Sequence, residues 1–297
     1  MTLRAIVLGA AAGGGFPQWN CRCAGCQLSW AGDPRARPRT QASIAVSGND
    51  ADWILLNASP DLTSQIHKIR ALQPRDGTRD SPISAVVLTG AEVDQVTGLL
   101  SLRERQDFTV YGPQRVLETI FANMLFSALN PESVKRETVT LEKPFSLPGG
   151  IEARMFSSPG KVPLYLENAK IERPEEFNTG LELTKDGRSI LFVPGAASVP
   201  PAMQARAGRA DLIFFDGTLF TDDEMIRMGA GSKTGRRMGH MPISGEGGSL
   251  SAFNGHAKRV YLHINNTNPI LIDGSPENRA VKAAGWDVGY DGMEFSL

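Results

Sequence analysis

Short apolar, β-branched runs recur along the chain at residues 4–8, 43–46, 53–57, 85–89, 108–111, 151–156, 180–184, 189–193, 212–216, 260–264 and 286–288. Each is bounded by Gly, Pro or Asp, and each predicts a strand. Between them the period lengthens. Residues 61–71, 94–105, 113–129, 201–207 and 276–284 carry helical patterns, most clearly where Val96, Leu99, Leu100 and Arg103 share one face. Strands alternating with helices, and clustering early and late, predict an α/β architecture of two sheets enclosed by outer helices, a four-layer αβ/βα sandwich. No repeat, heptad or low-complexity tract interrupts it and no Pro/Ser linker divides it, so residues 1–297 read as a single domain.

Two stretches escape the pattern. Residues 9–38 and 229–248 are polar, Gly-rich and without a convincing strand or helix, and long structureless loops inside a compact domain are usually functional. The second carries Lys233, Arg236, Arg237 and His240.

Composition narrows the function. With 31 Lys+Arg against 32 Asp+Glu the formal charge is −1, so no global basic field exists for nucleic acid or an anionic membrane. Hydrophobic residues make up 41% and charged residues 21%, enough to bury a core. No apolar run approaches the roughly 20 residues that cross a bilayer, and the N-terminus lacks a signal-peptide pattern. A cytoplasmic protein without membrane insertion is expected. The three cysteines all fall at Cys21, Cys23 and Cys26. An odd, clustered set in a cytoplasmic chain reads as metal ligands before disulfides.

That C-x-C-x-x-C loop can wrap one zinc ion, given a fourth ligand from elsewhere, and such an ion would tether a long loop of low apolar content. The upstream glycines from Gly9 to Gly15 follow a strand but open no helix, so they read as a close-packed turn rather than a dinucleotide fingerprint. A third segment, Leu88-Thr89-Gly90-Ala91-Glu92-Val93-Asp94-Gln95, sets a polar hexad where an apolar strand passes into a helix, aiming side chains at a sheet-edge crevice. Taken alone, Glu92 and Asp94 are also ordinary acids of a helix N-terminus. Their candidate partners are Asp216 and His263, each at the end of an apolar strand where an unbound polar group is costly, and His240. Two strand-end acids with two imidazoles is metal-site chemistry. His67 and His256 read as surface or packing residues.

These residues carry a resemblance. The segment from Leu88 to Leu100 resembles the first metal motif of the metallo-β-lactamase superfamily, H-x-H-x-D-H, with Asp216 and His263 resembling its bridging aspartate and last histidine. More specifically, Gly14-Gly15-Phe16-Pro17-Gln18-Trp19-Asn20-Cys21-Arg22-Cys23, Asn57-Ala58-Ser59-Pro60-Asp61, Ser158-Pro159-Gly160-Lys161, Lys233-Thr234-Gly235-Arg236-Arg237-Met238-Gly239-His240 and His263-Ile264-Asn265-Asn266-Thr267-Asn268-Pro269 resemble the PqqB family of pyrroloquinoline quinone (PQQ) biosynthesis, over nearly the whole chain. The departures matter. Gly90 and Glu92 stand where hydrolases of the superfamily have their first two histidines, Lys161 replaces a third, and Gln95 stands where PqqB proteins usually carry histidine.

The resemblance implies one structural zinc on Cys21, Cys23 and Cys26. In phosphodiesterases of the same fold a histidine three positions after the last active-site histidine closes the tetrahedron, and that offset makes Asn266 the candidate fourth ligand. It also implies one catalytic Fe(II), with Glu92, Asp94, Gln95, Asp216, His240 and His263 as candidate ligands and Asp216 and His240 as catalytic residues. Carboxylates with two imidazoles and open positions suit non-haem iron. The implied activity is metal-dependent oxidation or hydroxylation of a precursor derived from fused Glu and Tyr. Lys161, Lys233 and Arg236 would receive its carboxylates. The alternative is a carrier that binds PQQ or its precursor without chemistry and passes it toward the periplasm. The expected partner is that small anionic ligand, with the choice between monomer and homodimer open.

Overall fold

The computed structural model describes residues 2–253 and 255–297. In chain order the strands are β1 (Arg4–Gly9), β2 (Ser43–Ser47), β3 (Trp53–Leu56), β4 (Ile83–Val87), β5 (Phe108–Pro113), β6 (Val134–Val139), β7 (Pro144–Leu147), β8 (Ile151–Ser157), β9 (Thr179–Lys185), β10 (Arg188–Val193), β11 (Leu212–Asp216), β12 (Lys258–Leu262), β13 (Trp286–Val288) and β14 (Glu294–Ser296). They form two seven-stranded sheets, ordered β14-β1-β2-β3-β4-β5-β6 and β13-β12-β11-β10-β9-β8-β7. Each is parallel where helices cross over, from β3 to β6 and from β10 to β13, and antiparallel in its other pairings.

Alternation along the strands sorts the side chains into three apolar layers. Val7, Val46, Leu56 and Val87 of the first sheet meet Met155, Leu183, Phe192, Phe214 and Leu262 of the second. On the first sheet's outer face, Leu8, Leu55 and Val86 pack on Leu62, Val116, Leu117 and Ile120 of helices Leu62–Lys68 and Gln114–Phe121. On the second sheet's outer face, Leu191, Phe215 and Tyr261 pack on Met203, Ala207 and Val281 of helices Pro201–Ala207 and Pro276–Ala283. The result is the four-layer sandwich the pattern predicts.

Four local expectations differ. Residues 9–38 contain a helix, Ala24–Trp30, whose Cys26 and Ser29 are buried although its sequence has little apolar period. Within 229–248 a single turn, Gly235–Met238, is capped by Thr234. The predicted helix 94–105 is a short α-turn, Val93–Val96, that tightens into a 3-10 segment, Thr97–Leu102. Gly98 packs there against the backbone of Ala58 and Ser59, where no Cβ fits. Finally β6, β7 and β14 were not predicted; all three are sheet-edge strands, and the four central residues of β6 are exposed. A solvent-facing edge strand imposes no apolar alternation to detect.

Candidate metal centre

Three strand ends build the centre. Asp216 closes β11, fully buried, and its register partner on the parallel β12 is Leu262, so His263 emerges beside it. The polar hexad leaves β4 in the opposite sheet, and Thr179 at the start of β9 binds the Thr89 carbonyl through both its amide (3.0 Å) and its hydroxyl (2.8 Å). Both sheets therefore present their carboxyl ends to one crevice. Asn57 sets the hexad's base: its side chain accepts from Thr89 N and donates to Thr89 Oγ1, both at 2.9 Å. His263 holds a left-handed backbone, φ 53°, a conformation that costs a non-Gly residue energy and recurs at functional sites.

The side chains converge closely. Ligating atoms of Asp216, His240 and His263 all lie within 4.8 Å of one another. Asp94 Oδ2 stands 3.1 Å from His263 Nε2, and His240 Nδ1 stands 2.7 Å from Asp216 Oδ2. Donors about 2.0–2.2 Å from a common ion sit about 3 Å from each other, so the Asp94–His263 spacing fits shared coordination. Asp216 is fixed further by the amides of Ala196 (2.9 Å) and Thr218 (3.0 Å).

Burial pushes the Glu92 carboxyl up, and the neighbouring Asp94 charge adds to that. Burial works against ionised Asp94 and Asp216 as well, but the hydrogen bond from His263 holds Asp94 down and the charge of His240 holds Asp216 down. Burial alone would lower His263; its hydrogen bond to Asp94 and the surrounding carboxylates outweigh this and raise it. Two carboxylates held in their ionised form thus face two imidazoles, a donor set that a cation can share.

Gln95 does not join this group. Its Oε1 accepts from the Glu92 amide at 3.2 Å, closing the turn on itself. The centre floors a cavity of about 620 Å³ whose rim carries Lys161, Lys233 and Arg237 and whose apolar wall includes Val93, Val162, Leu164 and Phe177. Arg236 is not among the lining residues: its amide binds Asp222 Oδ1 and its guanidinium binds the Gly247 carbonyl. The adjacent Arg237 lines the cavity, because a single helical turn sends consecutive side chains in different directions.

In the cysteine loop, the three Sγ atoms also lie within 4.8 Å of one another. Asn266 reaches all three, its Nδ2 being 3.0 Å from Cys21, 3.5 Å from Cys26 and 3.7 Å from Cys23. Burial pushes the Cys23 thiol up to about 12 and raises Cys26. Burial works against an ionised Cys21 as well, but hydrogen bonds, first from the Cys23 amide, hold it down. Three thiols packed this closely suit a dication, which deprotonates coordinated thiols outright.

Residues 52–264 match the beta-lactamase superfamily domain. Coenzyme PQQ synthesis protein B of Gluconacetobacter diazotrophicus is 50% identical over 304 residues, 98% of this chain and 98% of that protein. Its namesake from Methylorubrum populi is 48% identical over 299 residues, 99% of this chain and 100% of that protein. The chain belongs to the PqqB family. The crystal structure of zinc-bound PqqB from Methylobacterium extorquens superposes with a TM-score of 0.95 at 47% identity, covering 99% of this chain and 100% of that one. The four-layer fold is accordingly that of the metallo-β-lactamases. Among the described residues of this PqqB-family chain, no helix is long and apolar enough to cross a membrane.

Sequence reasoning missed Thr218. Its hydroxyl lies 2.6 Å from Asp216 Oδ1, 2.9 Å from His263 Nδ1 and 3.1 Å from His240 Nδ1, at the hub of the PqqB-family centre. The signal available was an Asx turn: an aspartate that ends a strand accepts from the amide two residues on, here Thr218 N at 3.0 Å, and a hydroxyl at that position is brought onto the same carboxylate.

Proposed function

We propose that this PqqB-family chain acts in PQQ biosynthesis by metal-dependent oxidation or hydroxylation of an anionic precursor derived from Glu and Tyr. One structural zinc would sit on Cys21, Cys23, Cys26 and Asn266. The amide of Asn266 needs only a half-turn to present Oδ1 where Nδ2 now stands. One Fe(II) would be held by Asp94, Asp216, His240 and His263, with Glu92 alongside. Ferrous ion bound there would supply the activation of dioxygen.

The observation that carries this reading is the convergence of two imidazoles and two carboxylates on the floor of a cavity with a cationic rim. The chain's own residues divide the work. Lys161, Lys233 and Arg237 bind substrate carboxylates and orient the molecule. Val93, Leu164 and Phe177 take the aromatic ring and exclude water from the reacting atoms. His240, with Nδ1 engaged by Asp216, leaves Nε2 to ligate or to move a proton.

The test is incubation of iron-loaded protein with precursor under argon, followed by admission of oxygen. Oxygen uptake matched to precursor loss, abolished by Asp216→Asn, is the expected result. The engagement of Gln95 with the Glu92 amide, which keeps it from the cluster, favours the alternative carrier role. A carrier binds the precursor and consumes no oxygen.

A further inference from the structure

The cationic rim already holds a carboxylate. Glu167 lies in the segment 161–177 along the cavity, with Oε1 3.5 Å from Lys161 Nζ and Oε2 3.2 Å from Lys233 Nζ. We infer that Glu167 is a resident surrogate for a ligand carboxylate: it bridges Lys161 and Lys233 in the ligand-free protein, and a ligand takes this subsite by exchanging its own carboxylate for that of Glu167. The inference rests on the reading of the cavity as the ligand site.

Three observations support exchange rather than a fixed strut. First, all three side chains are 38–43% exposed, and exposed ion pairs are weak enough to be traded for another anion at little cost. The hydrogen bond from Lys233, its charge and the contact with Lys161 hold the Glu167 carboxyl below its usual range, so it is ionised as a ligand carboxylate would be. Second, the segment is pinned on either side of Glu167 by other contacts. The Tyr165 hydroxyl donates to the Ala91 carbonyl at 2.7 Å, and Glu176 accepts from the Arg115 amide at 2.8 Å. Glu167 can therefore swing without releasing the segment. Third, Lys161 and Lys233 come from separate loops, after β8 and after the helix Glu224–Arg227, and Glu167 bridges their ammonium groups. Glu167 offsets part of the repulsion between two like charges and holds them in position while no ligand is present.

The arrangement determines specificity. A ligand that brings a carboxylate replaces one ion-pair set by another, whereas a neutral isostere must leave Glu167 in place or strand two ammonium groups.

The test compares PQQ, a tricarboxylate, with its neutral trimethyl ester, titrated into the full-length wild-type chain and into Glu167→Gln, Glu167→Ala, Lys161→Met and Lys233→Met. Glu167→Gln and Glu167→Ala are expected to tighten PQQ binding by about two- to five-fold, the scale of one exposed ion pair, and to leave the ester unchanged. Lys161→Met and Lys233→Met are expected to weaken PQQ. If the lysine variants weaken PQQ but both Glu167 variants bind it equally or less well, the surrogate is overturned and the cavity reading stands. Equal tightening of acid and ester overturns it too. PQQ binding that is absent, or unmoved by either lysine variant, overturns the cavity reading and the surrogate together.

Discussion

Gly90 occupies the place of the first imidazole in the superfamily's H-x-H-x-D-H motif, and the space around it predicts that no side chain fits there. A Cβ built on Gly90 would lie 2.7 Å from the Phe177 carbonyl oxygen and closer still to Gln95 Oε1. The carbonyl belongs to backbone that cannot retreat, since the next residues tie both sheets together: Asn178 bridges Gly90, and Thr179 binds Thr89. Gln95 could move, at the loss of its bond to the Glu92 amide. Overpacking of this kind costs about 1–3 kcal/mol. Against it, replacing Gly by Ala restricts the unfolded chain and returns about 0.4–1 kcal/mol, because Gly90 does not use a left-handed backbone. The net expectation for Gly90→Ala is a destabilisation of about 1–2 kcal/mol, or about 2–4 °C in Tm for a chain this long. Urea denaturation monitored by circular dichroism reads this directly, and repeating it on a Gln95→Ala background should recover part of the loss, with a coupling of about 0.5 kcal/mol or more. A Gly90→Ala protein as stable as wild type, or a penalty indifferent to Gln95, would refute the steric account. The chemical corollary is that a hydrolase's first histidine cannot be restored here by one substitution.

Other expectations follow from the same geometry. Cys23→Ser should lose one zinc per chain and open residues 9–38 to protease; unchanged metal content and digestion would show the thiols to be idle. Arg237→Met should weaken PQQ binding about two- to five-fold and flatten its salt dependence, whereas Arg236→Met, whose guanidinium is on the Gly247 carbonyl, should change neither in isothermal titration. Glu224 is buried, and burial raises its carboxyl above the ordinary 4.5 despite hydrogen bonds from Thr267 and the Phe220 amide. Its stabilising contribution is therefore fullest while it is protonated and is lost as pH climbs through that raised value. Glu224→Gln should flatten the decline of urea midpoints above pH 4.5, and an unchanged slope would contradict the assignment.

Much of the architecture is legible in the chain because burial leaves a local signature. Strands such as β3 and β11 are buried on both faces, since each is covered by the other sheet and by helices, and such runs read as strands wherever they occur. Asp216 and His263 were legible for the complementary reason: a polar residue at the end of an apolar run is an anomaly that demands a partner. The cysteine cluster announced itself by spacing alone. The edge strands β6, β7 and β14 gave no such signal, nor did the helix Ala24–Trp30, whose seven residues show little apolar period.

The sequence by itself therefore determined the family, the two-sheet sandwich and which residue types stand at the strand ends, because these depend on local pattern and residue identity. Only the tertiary structure decided which of those residues meet. It turned Gln95 back onto its own turn, set Arg237 rather than Arg236 on the rim, and drew Thr218 between the two imidazoles. Those outcomes depend on how β4 in one sheet abuts β11 and β12 in the other, and on a left-handed backbone at His263. Contacts between residues as far apart as Asp94 and His263 are set by the packing of whole layers, which no local stretch of sequence encodes.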